Sequence, residues 1–562
     1  MTFDLRWEQW LPFRRLSGRI EWSPPADLLD DIAGDPVVAI ASPRPDFDGA
    51  TTEFLIGLVS AAMLPADEEA WLARWEQPPT VAELTAALAA LPAAFDVLGD
   101  GPAFFQDHDA AGVRAADSRP IEQLLADAPG DQTRTKNTDL FVKRDRVAAL
   151  GRPAAAMALL TLQTYAPAGG KGNRVGLRGG GPLTTLVDPR PPAPGQSVAK
   201  YALWRLIWAN VPSAELLGSG AAVPPADAPS AVFPWLGPTR ASDGKPPRVT
   251  RPADAHPLRA FFGLPRRLRL LDSAEPGVCS LTGQPDAVTV TGFAQRPYGE
   301  MYQNWEHPLS PHYLSKDEGW LPVHAQPEGL GWRDWIGVTL GDAAGTRRPA
   351  RIVAAWRDLR GSMTAVPRPW IAVFGYDFDN MKARAWQEGR FPAMVAPPAG
   401  VAEVRRVAHG LVEATRLASS LLQQAVTDVR LALSEAEAAE LKRSVWQALE
   451  ESYYARVFGV LANPDAAASG GAANAVLQSL RRALLDQFDQ RCPMGDSDLR
   501  IARRIVKARA ELSWFLSGSG KLGGQLHSLL ELPSEPTAEP ARKRTGKRSR
   551  APQTEAIRDD DR

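Results

Sequence analysis

Two cysteines among 562 residues, Cys279 and Cys492, exclude a disulfide framework and fit a reducing compartment. They leave no Cys-x-x-Cys pair for a closed zinc site, which wants four nitrogen or sulfur ligands. The seven histidines do not repair this, because His307 and His312 stand five apart across two prolines and stack no ligand pair on a helix face. No apolar run is long enough to span a bilayer. The opening MTFDLRWEQWLPF is charged and lacks the apolar stretch of a secretory signal, so a cytoplasmic protein with no membrane partner is expected. Neither sign of charge dominates: 64 Lys and Arg face 65 Asp and Glu, and any nucleic-acid contact must be a local patch. Catalytic signatures are missing as well. There is no G-x-S-x-G elbow, no metal-nuclease or helicase signature and no cysteine in an evidently electropositive setting. Neither an enzyme nor a cofactor is expected.

What the chain does have is fifty prolines, seventeen tryptophans and one unusually bare stretch. GGKGNRVGLRGGGPLTT (169–185) holds seven glycines and three cations, Lys171, Arg174 and Arg178. Without a Cβ the backbone takes positive φ readily, and another molecule can approach its peptide groups. Cations alongside favour an anionic visitor, either a nucleotide phosphate or a nucleic-acid backbone. The nucleotide reading fails on spacing. A P-loop requires G-x-x-x-x-G-K-[ST], but Gly172 follows Gly170-Lys171 and Tyr165 stands five positions before Gly170. The dinucleotide pattern G-x-G-x-x-G fails at Val175. By composition alone the stretch is a glycine-rich surface loop. Two more cationic groups read equally as solvated faces or as phosphate contacts whose affinity would fall with salt. They are Lys143, Arg144 and Arg146 in FVKRDR (141–146), and Arg266, Arg267 and Arg269 in FFGLPRRLRLL (261–271).

LPFRRLSGRIEW (11–22) alternates about Leu16-Ser17-Gly18 and reads as a β-hairpin. Helices are predicted at 50–63, 66–76, 79–91 and 152–165, the last ending just before the glycine loop. Another is predicted at 197–210, with Trp204 and Trp208 on one face. Residues 211–345 are rich in Pro and Gly and carry short strands such as AVTVTGF (287–293). PWIAVFGYDFDNMKARAW (369–386) reads as strand, tight turn, strand, with Asp379-Asn380 at the turn. The pattern then changes. Val404, Val407, Leu411, Ala414, Ala418, Leu421 and Ala425 alternate spacings of three and four, which marks a helix with one apolar stripe. SEAE (434–437) is a capping box opening a helix to about 461. Two more helices are predicted near 473–491 and 496–517, the latter capped by Asp496. The expected fold class is a large, irregular α+β N-terminal domain (1–395) followed by an all-α antiparallel four-helix bundle (396–532). A disordered basic tail (533–562) would follow.

Six blocks occur in one order: the glycine stretch, KNTDLFVKR (136–144), VFPWLGPTR (232–240), DAHPLRAFFGLPRR (254–267), HPLSP (307–311) and the C-terminal helices. In that order the chain, from about residue 3 to 530, resembles the CasA family, the large subunits of the type I-E CRISPR Cascade. The resemblance implies a non-enzymatic subunit of a guide-RNA complex. Such a subunit reads a protospacer-adjacent motif (PAM) in foreign double-stranded DNA, helps open the duplex and helps recruit a helicase–nuclease effector. Other Cascade subunits and the 5′ end of the guide RNA are the further implied partners. Reading would be from the minor groove, whose degenerate code favours shape and close backbone approach.

Carried over by position, the family's glycine loop falls on Ala168, Gly169, Gly170, Lys171 and Gly172, with Arg174 and Arg178 as flanking cations. Ala168 and Lys171 replace glycines of the family, which implies a different PAM preference. The lysine finger of the family falls on Pro297, so Gln295 or Arg296 is expected to act there. The wedge falls on Asn380, with Asp379 before it. The loop that grips the guide RNA falls on Phe141, Val142 and Lys143. The zinc ligands of some relatives fall on Gly151, Ala154, Cys279 and Thr282, only one of them a ligand type, so no metal is expected. A structural ribonucleoprotein subunit that holds the RNA without reading DNA is the alternative.

Overall fold

The computed structural model describes residues 2–138, 144–167, 169–170, 172–191, 195–218, 229–273, 275–342, 344–364, 366, 369–379, 382–395, 398–463, 470–495 and 498–532. They form two compact units, residues 1–412 with 446–467 and residues 413–445 with the chain from 468 on.

In the larger unit, β1 (Leu11–Arg15) and β2 (Ile20–Ser23) make the expected hairpin, and β3 (Val37–Ile40) pairs with the other edge of β1. The long helix α1 (Pro45–Met63) opens on a proline at its first turn and is buried along most of its length, including the carboxylates of Asp46 and Glu53. It is followed by α2 (Glu68–Glu76) and α3 (Val81–Ala89), whose starts are set by an Asp67 cap and a Thr80–Glu83 capping box. Helix α4 (Arg152–Tyr165) has ten buried residues and delivers the chain to the glycine loop, which β4 (Thr184–Asp188) leaves. The helix expected at 197–210 is a 3-10 turn at Val198–Tyr201 and then α5 (Leu203–Ala209), separated where Ala202 takes an extended ψ of 135°. Trp204 and Trp208 still share a face, stacked at 5.4 Å.

Strands β5 (Arg267–Asp272) and β6 (Thr289–Arg296) run antiparallel, with Arg267 opposite Arg296. The strand–turn–strand expected at 369–386 is a longer hairpin, β7 (Trp370–Asp379) and β8 (Lys382–Pro392), with β4 on the free edge of β7. The aromatic residues of two of those sequence blocks, 232–240 and 254–267, are core. Phe233, Trp235 and Phe262 join Phe54, Phe104 and Phe105 in one cluster, with ring centroids from 4.5 to 6.5 Å apart.

Five helices, not four, close the described chain: α6 (Pro398–Arg430), α7 (Glu435–Ala462), α8 (Gly470–Arg491), α9 (Leu499–Leu516) and α10 (Gly520–Leu529). The SEAE capping box forms: Ser434 Oγ accepts from Glu437 N–H, and the Glu437 carboxylate accepts from Ser434 N–H and Oγ–H. Those donors hold the Glu437 carboxyl down at about 2. The cap of α9 is Asp498, which accepts from Arg500 and Ile501 N–H; Asp496 lies outside the described residues. The compact units divide elsewhere than at residue 395. The start of α6 and the end of α7 belong to the larger unit, where Trp332 stacks on Tyr453 at 4.3 Å and Trp335 meets Tyr454 edge-on at 6.2 Å.

Buried imidazoles make this unit sensitive to acid. Burial pushes His312 down to about 4, with Glu306 opposing and Arg348 and Arg351 assisting. Burial, then the charge of Arg178, lowers His307 well below its usual value. Both folded values lie beneath the unfolded value near 6.5, so the unfolded chain binds more protons between about pH 6.5 and 4. Stability therefore falls as pH drops through that window, by up to about 3 kcal/mol for a shift of this size. We expect His312→Gln to flatten the pH dependence of urea denaturation between pH 6.5 and 4. An unchanged slope would refute the assignment.

Candidate nucleic-acid interface

Helix α4 ends at Tyr165, and the chain closes a neck behind it. Gly176 N–H donates to Ala166 O at 3.0 Å, Gly181 N–H to Tyr165 O at 3.3 Å and Gly179 N–H to Gly176 O at 2.9 Å. Under this neck Arg178 turns inward. It forms an ion pair with Glu53 of α1, both side chains nearly sealed from solvent at 3% and 5% exposure. Its Nη1 donates to Thr184 Oγ1 at 2.9 Å and Ser310 Oγ at 3.0 Å. The Thr184 hydroxyl (2.7 Å) and the Tyr165 phenol donate to the same Glu53 carboxylate. Burial and the Glu53 charge keep Tyr165 protonated far above the usual phenol range. Arg178 is thus not a cation presented to DNA. Its charge is spent on a buried carboxylate, and it anchors the loop to α1 and β4. On the other side of the neck, His324 Nδ1–H donates to Gly180 O at 2.8 Å.

The tip of the loop leans on the end of β6. Gly172 O accepts from Tyr298 N–H at 2.7 Å, and Asn173 Oδ1 accepts from Gln295 Nε2 at 3.0 Å. Arg174 donates to Ser242 Oγ at 2.7 Å and Ser242 O at 3.0 Å, with its guanidinium 5.8 Å from the Tyr298 ring centre. The approach at Gly172 (φ 81°) is so close that a Cβ would stand 2.6 Å from Pro297 Cβ and 3.0 Å from Tyr298 N, so packing requires a glycine there. Gly170 differs. It is exposed, its φ is 62°, and a Cβ on it would meet nothing within 4 Å. The space before it is open to another molecule.

Gly181 brings in the hairpin. A Cβ there would lie 2.5 Å from the Phe378 ring and from Tyr376 O. Trp386 of β8 rests edge-on against Tyr165 (5.2 Å) and Tyr376 (5.0 Å), and Tyr376 Oη donates to Asp46 of α1 at 2.5 Å. Loop and hairpin therefore share one aromatic footing. Arg384 pairs with Asp377 at 2.6 Å and reaches Asp379, the last residue of β7, at 3.7 Å.

Of the residues singled out in the sequence, Gly169, Gly170, Gly172, Arg174 and Gln295 meet at this surface, and Asp379 stands at the end of the adjoining hairpin. Arg296 pairs with Asp109 at 3.2 Å, so an acid offsets its charge. Ala168, Lys171, Asn380, Phe141, Val142 and Lys143 lie outside the described residues. The cations of 261–271 are not a solvated face. Arg267 pairs with Asp107 at 2.5 Å, Arg269 donates to Gly99 and Gly101 carbonyls, and Arg266 is 6% exposed. Sequence reasoning missed Glu53, Ser242 and Tyr298. For Glu53 the signal was a lone acid inside the apolar run TTEFLIGLVSAAM.

Two of the positions matched to zinc ligands do meet, a Cβ on Gly151 standing 3.5 Å from Cys279 Cβ. Hydrogen bonds join the segments there. Ser280 Oγ accepts from Ala148 and Ala149 N–H at 3.2 Å, and Asp286 accepts from Arg152 N–H at 2.7 Å and from its Nε at 2.8 Å. Among the described residues no three His, Cys, Asp or Glu are placed to hold a metal.

Fold and surface together define a class: a mixed α+β protein with C-terminal helices, carrying an open glycine loop braced between a strand end and a long hairpin. The profile of the family CRISPR-associated protein Cse1 matches residues 4–487. The chain belongs to this Cse1, or CasA, family. Among solved structures it is similar to CasA of Thermus thermophilus, with 18% identity and a TM-score of 0.64 over 91% of this chain and 99% of that one. Cse1 of Thermobifida fusca is similar at 16% identity and a TM-score of 0.64, over 94% and 98% of the two chains. A chain of a CRISPR RNA-guided surveillance complex is similar at 15% identity and a TM-score of 0.65, over 91% and 99%. At these identities the likeness is one of fold.

Proposed function

We propose that the chain is the non-enzymatic large subunit of a type I-E Cascade complex in the cytoplasm, and that the surface around Gly170 reads the PAM of foreign duplex DNA from the minor groove. The observation that carries this reading is the open, positive-φ Gly170 in a loop braced by Gly172 against Pro297 and Tyr298 and by Gly181 against Phe378 of the β7–β8 hairpin. A backbone without side chains lies flush against groove edges. In this reading the wedge is the turn of the β7–β8 hairpin, Asp379 and Asn380, on the hairpin whose Phe378 packs against Gly181 of the loop. Opening a base-pair step costs about 1.4 kcal/mol, within reach of one inserted side chain and a few phosphate contacts. Phe141, Val142 and Lys143 hold the 5′ end of the guide RNA in this reading. The other Cascade subunits and the helicase–nuclease effector are the remaining partners.

The test is Asn380→Ala in the complex reconstituted with guide RNA. Binding to PAM-bearing duplex is expected to fall about tenfold, the equivalent of one opened step. Binding to a pre-opened target should not change. Equal loss on both substrates, or none on either, would favour a subunit that holds RNA without reading DNA.

A further inference from the structure

Arg266 is a buried cation without a counter-ion among the described residues. Three other buried arginines of the larger unit face an acid, Arg178 with Glu53, Arg259 with Glu300 and Arg360 with Glu68, and a fourth, Arg269, is held by the Gly99 and Gly101 carbonyls. Arg266 is 6% exposed, and among the described residues no carboxylate pairs with it. Its Nη2 donates to Pro167 O, its main-chain N–H donates to Gln163 Oε1 at 3.0 Å, and its buried Nε–H has no acceptor. Burial, with the like charge of Arg119 adding to it, lowers its pKa to about 10, so it remains charged at neutral pH. An isolated charge in the interior costs several kcal/mol, and proteins keep such charges where an anion answers them.

The position of Arg266 says where that anion belongs. Both Nη atoms lie 3.6 Å from the point a Cβ on Gly169 would occupy, directly beneath the loop tip. Above them, the amides of Gly169 and Gly170 donate to no acceptor among the described residues. Successive free N–H groups on a bare turn, backed by a positive charge, make an anion-binding concavity.

We propose that the loop tip is a phosphodiester subsite, in which one backbone phosphate of the duplex lies against the Gly169 and Gly170 amides and Arg266 beneath them supplies the compensating charge. This rests on the PAM-reading assignment and changes the part the tip plays. A phosphate contact fixes the register of protein on DNA, and discrimination then falls to neighbouring groups. Arg266 is a positioning residue, since it acts through the loop.

The experiment uses the reconstituted complex and PAM-bearing duplexes in which single phosphates around the PAM are replaced by neutral methylphosphonates. Wild type is expected to lose about tenfold in affinity at one position of the scan. Arg266→Gln should lose about tenfold on the unmodified duplex, lose nothing further at that position, and show a salt slope smaller by about 0.9. Arg266→Lys, which keeps the charge, should restore most of the affinity. It also serves as the informative variant should Arg266→Gln fail to assemble: wild-type affinity in Lys together with one sensitive phosphate supports the subsite. Methylphosphonate costs that are the same in wild type and Arg266→Gln, or an unchanged salt slope, would overturn it. Gly170→Asp separates the failures. If it abolishes PAM binding while Arg266→Gln matches wild type, only the phosphate subsite falls. If both match wild type, the PAM-reading assignment falls with it.

Discussion

Arg178→Met is expected to destabilise the larger unit by about 3–5 kcal/mol, the usual cost of stripping a buried carboxylate of its partner. The carboxylate is that of Glu53, which accepts from Arg178, Thr184 and Tyr165, with the ion-paired side chains almost wholly buried. Removing the guanidinium strands the Glu53 charge and takes from Thr184 and Ser310 a donor each. Double replacement, Glu53→Met with Arg178→Met, should regain about half of the loss, because no charge is then left inside, while Tyr165 and Thr184 still want acceptors. Urea denaturation of the wild-type chain, the two single variants and the double variant, read as a double-mutant cycle, measures the coupling. Additive effects would mean that the pair does not form. The consequence reaches the surface: Arg178 sits between Gly176 and Gly179, whose hydrogen bond closes the neck, so losing the anchor frees the loop from α1 and β4 together.

Local structure was legible wherever neighbours in sequence decide it. Alternation and Gly18 specify the first hairpin, spacing of three and four specifies α6, and SEAE caps α7, since each depends on residues a few positions apart. The bareness of 169–185 was equally plain. What each glycine is for was not. Gly172 is bare for Pro297 and Gly181 for Phe378, contacts more than a hundred residues distant, whereas Gly170 faces open space. Arg178 looked like a loop cation because its acid, Glu53, stands 125 residues earlier. The arginines of 261–271 looked like a patch because charge in sequence says nothing of burial. In the fold they divide into one paired to Asp107, one bound to carbonyls and one left without an acid. The C-terminal helices show the same limit. Helix lengths follow from periodicity, but the large aromatics of α7 pack on Trp332 and Trp335, and so part of that helix belongs to the larger unit.

Gly170→Asp is expected to weaken binding of the assembled complex to PAM-bearing duplex about a hundredfold, or about 2.7 kcal/mol, with little change in the stability of the chain. The folded cost is confined to the left-handed backbone at φ 62°, roughly 1 kcal/mol for a residue with a Cβ, because the side chain would meet no protein atom within 4 Å. Duplex DNA entering that same space would meet both the carboxylate and its charge. A carboxylate about 4 Å from a phosphate is repelled by about 1 kcal/mol in water and about 4 at an effective dielectric of 20, and excluded volume adds to this. Gly170→Asn isolates the steric part: similar in size, uncharged and tolerant of the left-handed region, it should cost about tenfold. Gly172→Ala should behave differently, losing stability and binding together, because its methyl would force the loop away from Pro297. Affinity for a pre-opened target should stay at the wild-type level in the Gly170 variants, since the duplex step they obstruct has been bypassed. Wild-type affinity of Gly170→Asp for PAM duplex would place the approaching DNA elsewhere, because no negative side chain in the path of a phosphate backbone can be without effect.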